Sequence, residues 1–200
     1  MGRALIVSAG ASSNEYIAAR LTEMGYSRPV IIPSGAEARR RMTESDFELI
    51  VVNSPLPDEF GHDMAQQAAN DTLSGVILLA KAEIADSVAE KVEDDGVFVV
   101  PKPLSRVLFM QALRMTRAAR SRLTGLQSEN RRLQKRIEDI RQVDRAKCLL
   151  IECCGMTEPE AHSYIEQQAM NQRRSKRDIA EDIIGGKNAV ICAIPLKNIS

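Results

Sequence analysis

Short apolar runs alternate with helical periodicities over the first 120 residues or so, and the pattern then changes to one long helical stripe. Residues 3–8, 30–33, 49–52, 76–79 and 97–100 read as strands, and within each the apolar positions are consecutive rather than alternate. Continuous runs of Val, Ile and Leu belong to strands covered on both faces. Between the first three lie helical patterns at 14–24, ended by Gly25, and at 35–42. Strands separated by helices predict an α/β, doubly wound parallel sheet of flavodoxin-like order.

From residue 104 onward the periodicity is helical. Phe109, Ala112, Thr116, Ala119, Leu123, Leu126, Asn130, Leu133, Ile137 and Ile140 follow the alternating four-three spacing of a coiled-coil seam. Its sharper part, Leu123, Leu126, Asn130, Leu133, Ile137 and Ile140, is the expected homodimer contact, since an asparagine at an a position fixes register between two strands. The alternative is that the stripe packs on the chain's own domain. Gly125 is the weak point, a candidate hinge costing about 1 kcal/mol relative to alanine.

Gly155 and Met156 end that pattern. Thr157 with Glu160 has capping-box spacing, and Pro159 suits a first helical turn. Ala161, Tyr164, Ile165, Gln168 and Ala169 continue at helical spacing, with Arg173 and Arg174 at the helix end. Ser175 with Asp178 opens a last helix, whose inward stripe is Ile179, Ala180 and Ile183 and which Gly185 and Gly186 close. The expected organisation is therefore a sheet domain over 1–120, a coiled-coil linker helix over 121–145, a small three-helix bundle over 146–186 and a tail over 187–200. The apolar part of that tail, 189–196, is expected to dock on a neighbouring surface.

Charge sharpens this picture only through its distribution. The chain is formally neutral and 44% hydrophobic, so its total charge selects no partner. Yet between Arg106 and Lys147 twelve Lys/Arg face four acids, a local surplus of eight that can steer a polyanion. Along the helix Arg131, Arg132, Lys135 and Arg136 are candidate nucleic-acid contacts, or else residues that merely solvate the seam. Cys148, Cys153, Cys154 and Cys192 lack paired C-x-x-C spacing, so no metal is expected; buried free thiols in a reducing cytoplasm are. No run approaches the ~18 apolar residues of a membrane span, no secretory signal is expected, and the chain is read as cytoplasmic. No cofactor motif, nucleophile–base pair or phosphate loop is present, which argues against an enzyme.

Two resemblances follow from particular residues. Asn53-Ser54-Pro55-Leu56-Pro57-Asp58-Glu59-Phe60-Gly61, with Lys102-Pro103 further on, resembles the receiver domain of bacterial response regulators. That family places its phospho-accepting aspartate where Asn53 stands, an acidic pair for a divalent cation where Ser8-Ala9-Gly10 stands, and a Thr/Ser hydroxyl where Ala80 stands. The resemblance thus implies a pseudo-receiver with no phospho-acceptor, in which Lys102 packs its stem or bonds nearby carbonyls. Asp58 and Asp63 sit at the wrong positions to replace the acceptor.

The end of the chain resembles the ANTAR domain through Ala146-Lys147-Cys148-Leu149-Leu150, Glu160-Ala161-His162, Ala169-Met170 with Arg173, and Ile179-Ala180 with Ile183-Ile184. Cys148 departs from that family's usual glycine. The resemblance implies a dimeric, RNA-binding transcription antiterminator that grips paired stem-loops of leader RNA. It implies Lys147, Arg173, Arg174, Lys176 and Arg177 as phosphate or base contacts, and Ala169 and Met170 as lining of the same surface. His162 is read as a partly buried helix residue. With phosphorylation missing, control would fall to a regulatory protein partner or ligand. Two other readings stay open: a DNA-binding transcription regulator, and a coiled-coil interaction protein that sequesters other regulators.

Overall fold

Alternate residues of each strand point to opposite faces of a sheet, and here both sets are apolar. Leu5, Val7, Ile50, Val52, Val76 and Leu78 enter one core, while Ala4, Ile6, Leu49, Val51, Ile77 and Leu79 enter a second on the other face. A sheet buried on both faces needs helices on both. The computed structural model, which describes residues 2–186, supplies them. In chain order the elements are β1 (Ala4–Val7), α1 (Ala11–Glu23), β2 (Val30–Ile32), α2 (Gly35–Glu44), β3 (Leu49–Asn53), α3 (His62–Asp71), β4 (Gly75–Lys81), α4 (Ala82–Val92), β5 (Val97–Lys102), α5 (Arg106–Cys154), α6 (Glu158–Gln172) and α7 (Lys176–Ile184).

The strands are all parallel, in the order β2-β1-β3-β4-β5, which is the flavodoxin-like order expected. Ala38 of α2, Met64, Ala65 and Ala68 of α3, and Val88 and Val92 of α4 fill the first core. Ile17 and Leu21 of α1 and Phe109, Ala112 and Leu113 of α5 fill the second. The carboxyl ends of the strands thereby gather Asn53, Lys102 and the start of α1 at one edge of the sheet.

The chain divides into two compact units, Met1–Leu126 and from Gln127 onward. α5 contributes to both and runs through Gly125 without a break. The seam expected along it splits in two. Phe109, Ala112 and Thr116 are buried in the first unit, so there the stripe packs on its own domain. Leu123, Leu126, Asn130, Leu133, Ile137 and Ile140 are all exposed.

In the second unit Ala146 and Leu150 of α5 pack with Ala161, Ile165 and Ala169 of α6 and with Ile179, Ala180 and Ile183 of α7. Small residues at 146, 161, 169 and 180 allow the end of α5 and the two shorter helices to close on one another with few side chains. Gly155, at φ 67°, takes the left-handed conformation that ends α5. Both expected N-terminal boxes form. The Thr157 N–H donates to Glu160 at 2.8 Å; the Ser175 N–H donates to Asp178 and the Asp178 N–H to the Ser175 hydroxyl, both at 3.1 Å.

One expectation fails in this unit. Cys148 and Cys153 are exposed, because helical spacing turns them away from the face that Ala146 and Leu150 bury, while Cys154, one turn after Leu150, is partly exposed and packs at the edge of that core. Cys192 and the apolar tail at 189–196 lie outside the described residues. Among the described residues no helix is long and apolar enough to cross a membrane.

Candidate functional site

Two places carry chemistry, one in each unit. The first is the carboxyl end of the sheet. Asn53 closes β3, and its side-chain amide donates to the Ser8 hydroxyl just after β1 at 2.9 Å. Asn14 in α1 reaches back to the Ser8 carbonyl at 3.3 Å. Where a receiver gathers carboxylates around a cation, this chain has a neutral amide–hydroxyl network.

Lys102 closes β5 and donates to the carbonyl of Ser54, the carbonyl-bonding role anticipated for it. Burial, and then the charge of Lys81, lower the pKa of its ammonium. Ala80 is fully buried and offers no hydroxyl. Asp58 turns away from this network, and its carboxylate accepts from the backbone N–H groups of Ala36, at 2.9 Å, and Gly35, at 3.0 Å. Those two bonds, Ala36 first, hold its pKa below the usual carboxylate range and fix the start of α2. Asp63 lies in the first turn of α3.

The second place is the surface of the bundle. A cavity of about 370 Å³ opens between α5, α6 and α7, and Arg136, Lys147, His162, Lys176 and Arg177 are among its lining residues. Most of these cations already have partners. Lys147 lies 2.9 Å from both Asp144 and Glu158, and hydrogen bonds to those two carboxylates raise its pKa. Lys176 pairs with Glu166, whose carboxyl it holds below its ordinary pKa; His162 approaches the same carboxylate at 3.3 Å. Arg177 bridges Glu181 of its own helix and Asp139 of α5, both at 2.8 Å. Arg174 meets Asp182 at 2.5 Å.

Arg173 differs from these. It caps α6 in the left-handed region at φ 51°, with its N–H bonded to the Met170 carbonyl at 3.2 Å. It is exposed and makes no ion pair among the described residues, and the same holds for Arg131, Arg132, Lys135, Arg136, Arg141 and Arg145 of α5. Met170 is 79% exposed, a large apolar side chain standing in water beside Arg173.

Ala169 must be corrected. It is 7% exposed and sits in the bundle core with Ile165 and Ile179, so it shapes the surface from beneath rather than lining it. The candidate contacts therefore fall into three sets: Arg173 and Met170 open to solvent, Lys147, Arg174, Lys176 and Arg177 held by carboxylates, and Ala169 buried. The carboxylates of Asp139, Glu158, Glu166 and Asp182 escape a reading of the sequence. Only the Asp144–Lys147, His162–Glu166 and Arg177–Glu181 pairs, about one helical turn apart, leave a trace in residue spacing.

Residues 131–184 match the ANTAR domain family. The chain carries an ANTAR domain after a receiver-like one. It is 28% identical over 183 residues to the transcriptional regulatory protein PdtaR of Mycobacterium tuberculosis, across 91% of this chain and 89% of that one. It is 28% identical over 130 residues to the aliphatic amidase regulator of Pseudomonas aeruginosa, across 65% of each. Its first unit has the fold of the beryllofluoride-activated NtrC4 receiver domain (TM-score 0.54, 24% identity, 60% of this chain and 99% of that one). It also matches a signal receiver domain of an HD domain-containing protein from Pseudomonas fluorescens (TM-score 0.55, 15% identity, 62% and 92%). With an ANTAR domain and regulators among its relatives, this protein is a transcriptional regulator and not an enzyme.

Proposed function

We propose that this ANTAR protein is an RNA-binding transcription antiterminator that grips leader-RNA stem-loops as a homodimer, in the cytoplasm and without control by aspartyl phosphorylation. One observation carries the reading: within the ANTAR bundle, Arg173 and Met170 stand exposed together, in the same unit as a run of unpaired arginines on α5. Phosphates of a stem take unpaired cations, and the unstacked bases of a loop take an apolar surface. The exposed seam from Leu123 to Ile140 supports a dimer, which presents two such surfaces to paired stem-loops. The missing carboxylates around Asn53 support a switch that is not covalent, with a regulatory protein partner or a ligand in its place.

A gel-shift series tests the reading with a leader RNA bearing two stem-loops, the same RNA with one loop scrambled, and duplex DNA of equal length. The expected result is tight binding that needs both loops and is lost in Arg173→Ala/Met170→Ser. Acetyl phosphate with magnesium should leave mass and affinity unchanged. Equal affinity for the duplex DNA would sink the RNA reading in favour of a DNA-binding regulator.

A further inference from the structure

In an open parallel sheet, ligands bind outside the carboxyl ends of the strands where the strand order reverses. Here that place lies between β1 and β3, and a cavity of about 300 Å³ opens beside it, between α1 and the carboxyl ends of β3, β4 and β5. Ser12, Ser13, Tyr16, Asn53, Lys102 and Leu104 are among its walls, and none of its lining residues is acidic. A divalent cation finds no hard anionic oxygen in such a site. The one charge present is the ammonium of Lys102.

The polar groups here are not saturated. Lys102 gives one N–H to the Ser54 carbonyl, and an ammonium has three to give. The Ser54 hydroxyl, in a residue 1% exposed, has no partner, nor has the buried Oδ1 of Asn14. Buried polar atoms are ordinarily bonded, so the network behind the cavity is incomplete. The hydroxyls of Ser12 and Ser13 add donors at the mouth, and Tyr16, Ile17, Leu79, Pro103 and Leu104 make the rest of the wall largely apolar.

We propose that this cavity is a reversible, metal-independent site for a small organic anion. Its carboxylate or phosphate head meets Lys102, Ser12 and Ser13, and its apolar body rests against Tyr16 and Leu104. The volume is at the small end of ligand pockets, roughly 300–1,000 Å³, which suits one ring with one anionic group. The loss of carboxylates at this end of the sheet thus exchanges a cation site for an anion site. This assignment rests on the first unit alone and stands whether or not the second binds RNA.

The test is a titration of the full-length protein, followed by the backbone amide resonances of Ser12 and Ser13 and the side-chain amide of Asn53. Benzoate and phenyl phosphate serve as anionic probes, benzamide as their neutral counterpart, all with and without EDTA. Saturable shifts with either anion and none with benzamide are expected, unchanged by EDTA, and the stronger anion tells a carboxylate site from a phosphate site. Lys102→Gln should weaken binding at least about tenfold. Because Lys102 supports the Ser54 loop, Ser13→Asp gives a second check: it changes an exposed residue, leaves the fold intact and should abolish the shifts. Absence of saturable shifts up to about 10 mM anion, shifts that need magnesium, equal binding of benzamide, or full binding by Ser13→Asp would each overturn the proposal.

Discussion

Replacing Leu133 and Ile137 by alanine should dissociate the proposed dimer without weakening α5. Leu133 is 49% exposed and Ile137 52%, so about half of each side chain remains to be buried by a partner. Complete burial of such a side chain is worth about 1.5–3 kcal/mol, and half of it about 1 kcal/mol. Two positions in two chains then contribute about 4 kcal/mol, and at 1.4 kcal/mol per decade the dissociation constant rises roughly a thousandfold. Alanine is the best helix former, so helix propensity does not fall with the substitution. Neither residue belongs to the bundle core around Ala146 and Leu150, so the thermal transition of the bundle should stay in place. Light scattering after size exclusion, over a hundredfold range of concentration, reads the result. A wild-type protein that is monomeric throughout refutes the seam, and so does a double variant that keeps the dimer mass.

Three further outcomes follow from particular contacts. Arg173→Gly relieves a side chain held in the left-handed region and should stabilise the bundle by about 1 kcal/mol while weakening RNA binding; denaturant melts and gel shifts on one sample read both, and a parallel loss of stability would show that the cap is unstrained. Glu166→Gln releases Lys176 and His162 and should tighten RNA binding and steepen its salt dependence, whereas unchanged affinity would mean that these groups never meet phosphate. Asn53→Asp restores an acceptor but no cation ligands at Ser8, Ala9 or Gly10, so intact-mass measurement after acetyl phosphate and magnesium should find no phosphorylated protein; stoichiometric phosphorylation would show that the missing carboxylates do not matter.

The sheet is legible in the sequence because burial on both faces leaves an unmistakable trace, four consecutive apolar residues such as Leu49 to Val52. The capping boxes at Thr157 and Ser175 are legible because a helix start is a local event. Asn53 is legible because a single atom type decides its chemistry. The bundle surface is not. Whether Lys176 is free depends on Glu166, ten positions away on another helix, and Arg177 reaches Asp139 across thirty-eight positions. Such pairs are set by the angles between helices, which periodicity does not encode. Ala169 misleads for the same reason, since a small residue reads alike at an open surface and at a close helix crossing. The cysteines mislead because apolar character alone suggests burial, while the angular position of Cys148 relative to Ala146 and Leu150 points it outward.

The carboxylates that hold Lys147, Arg174, Lys176 and Arg177 also bear on how fast a polyanion arrives. A cation facing an anion is a dipole to anything beyond a Debye length, about 8–10 Å in physiological salt, and a dipole's field fades faster than that of a lone charge. An RNA approaching the second unit therefore feels first the unpaired cations of α5, Arg131, Arg132, Lys135, Arg136, Arg141 and Arg145. Under the proposed RNA-binding function the capture rate belongs to those residues, and the lifetime of the complex to the pairs that would exchange a carboxylate for a phosphate after contact. Removing charge from α5 slows association, and altering Asp139, Glu158, Glu166 or Asp182 changes dissociation.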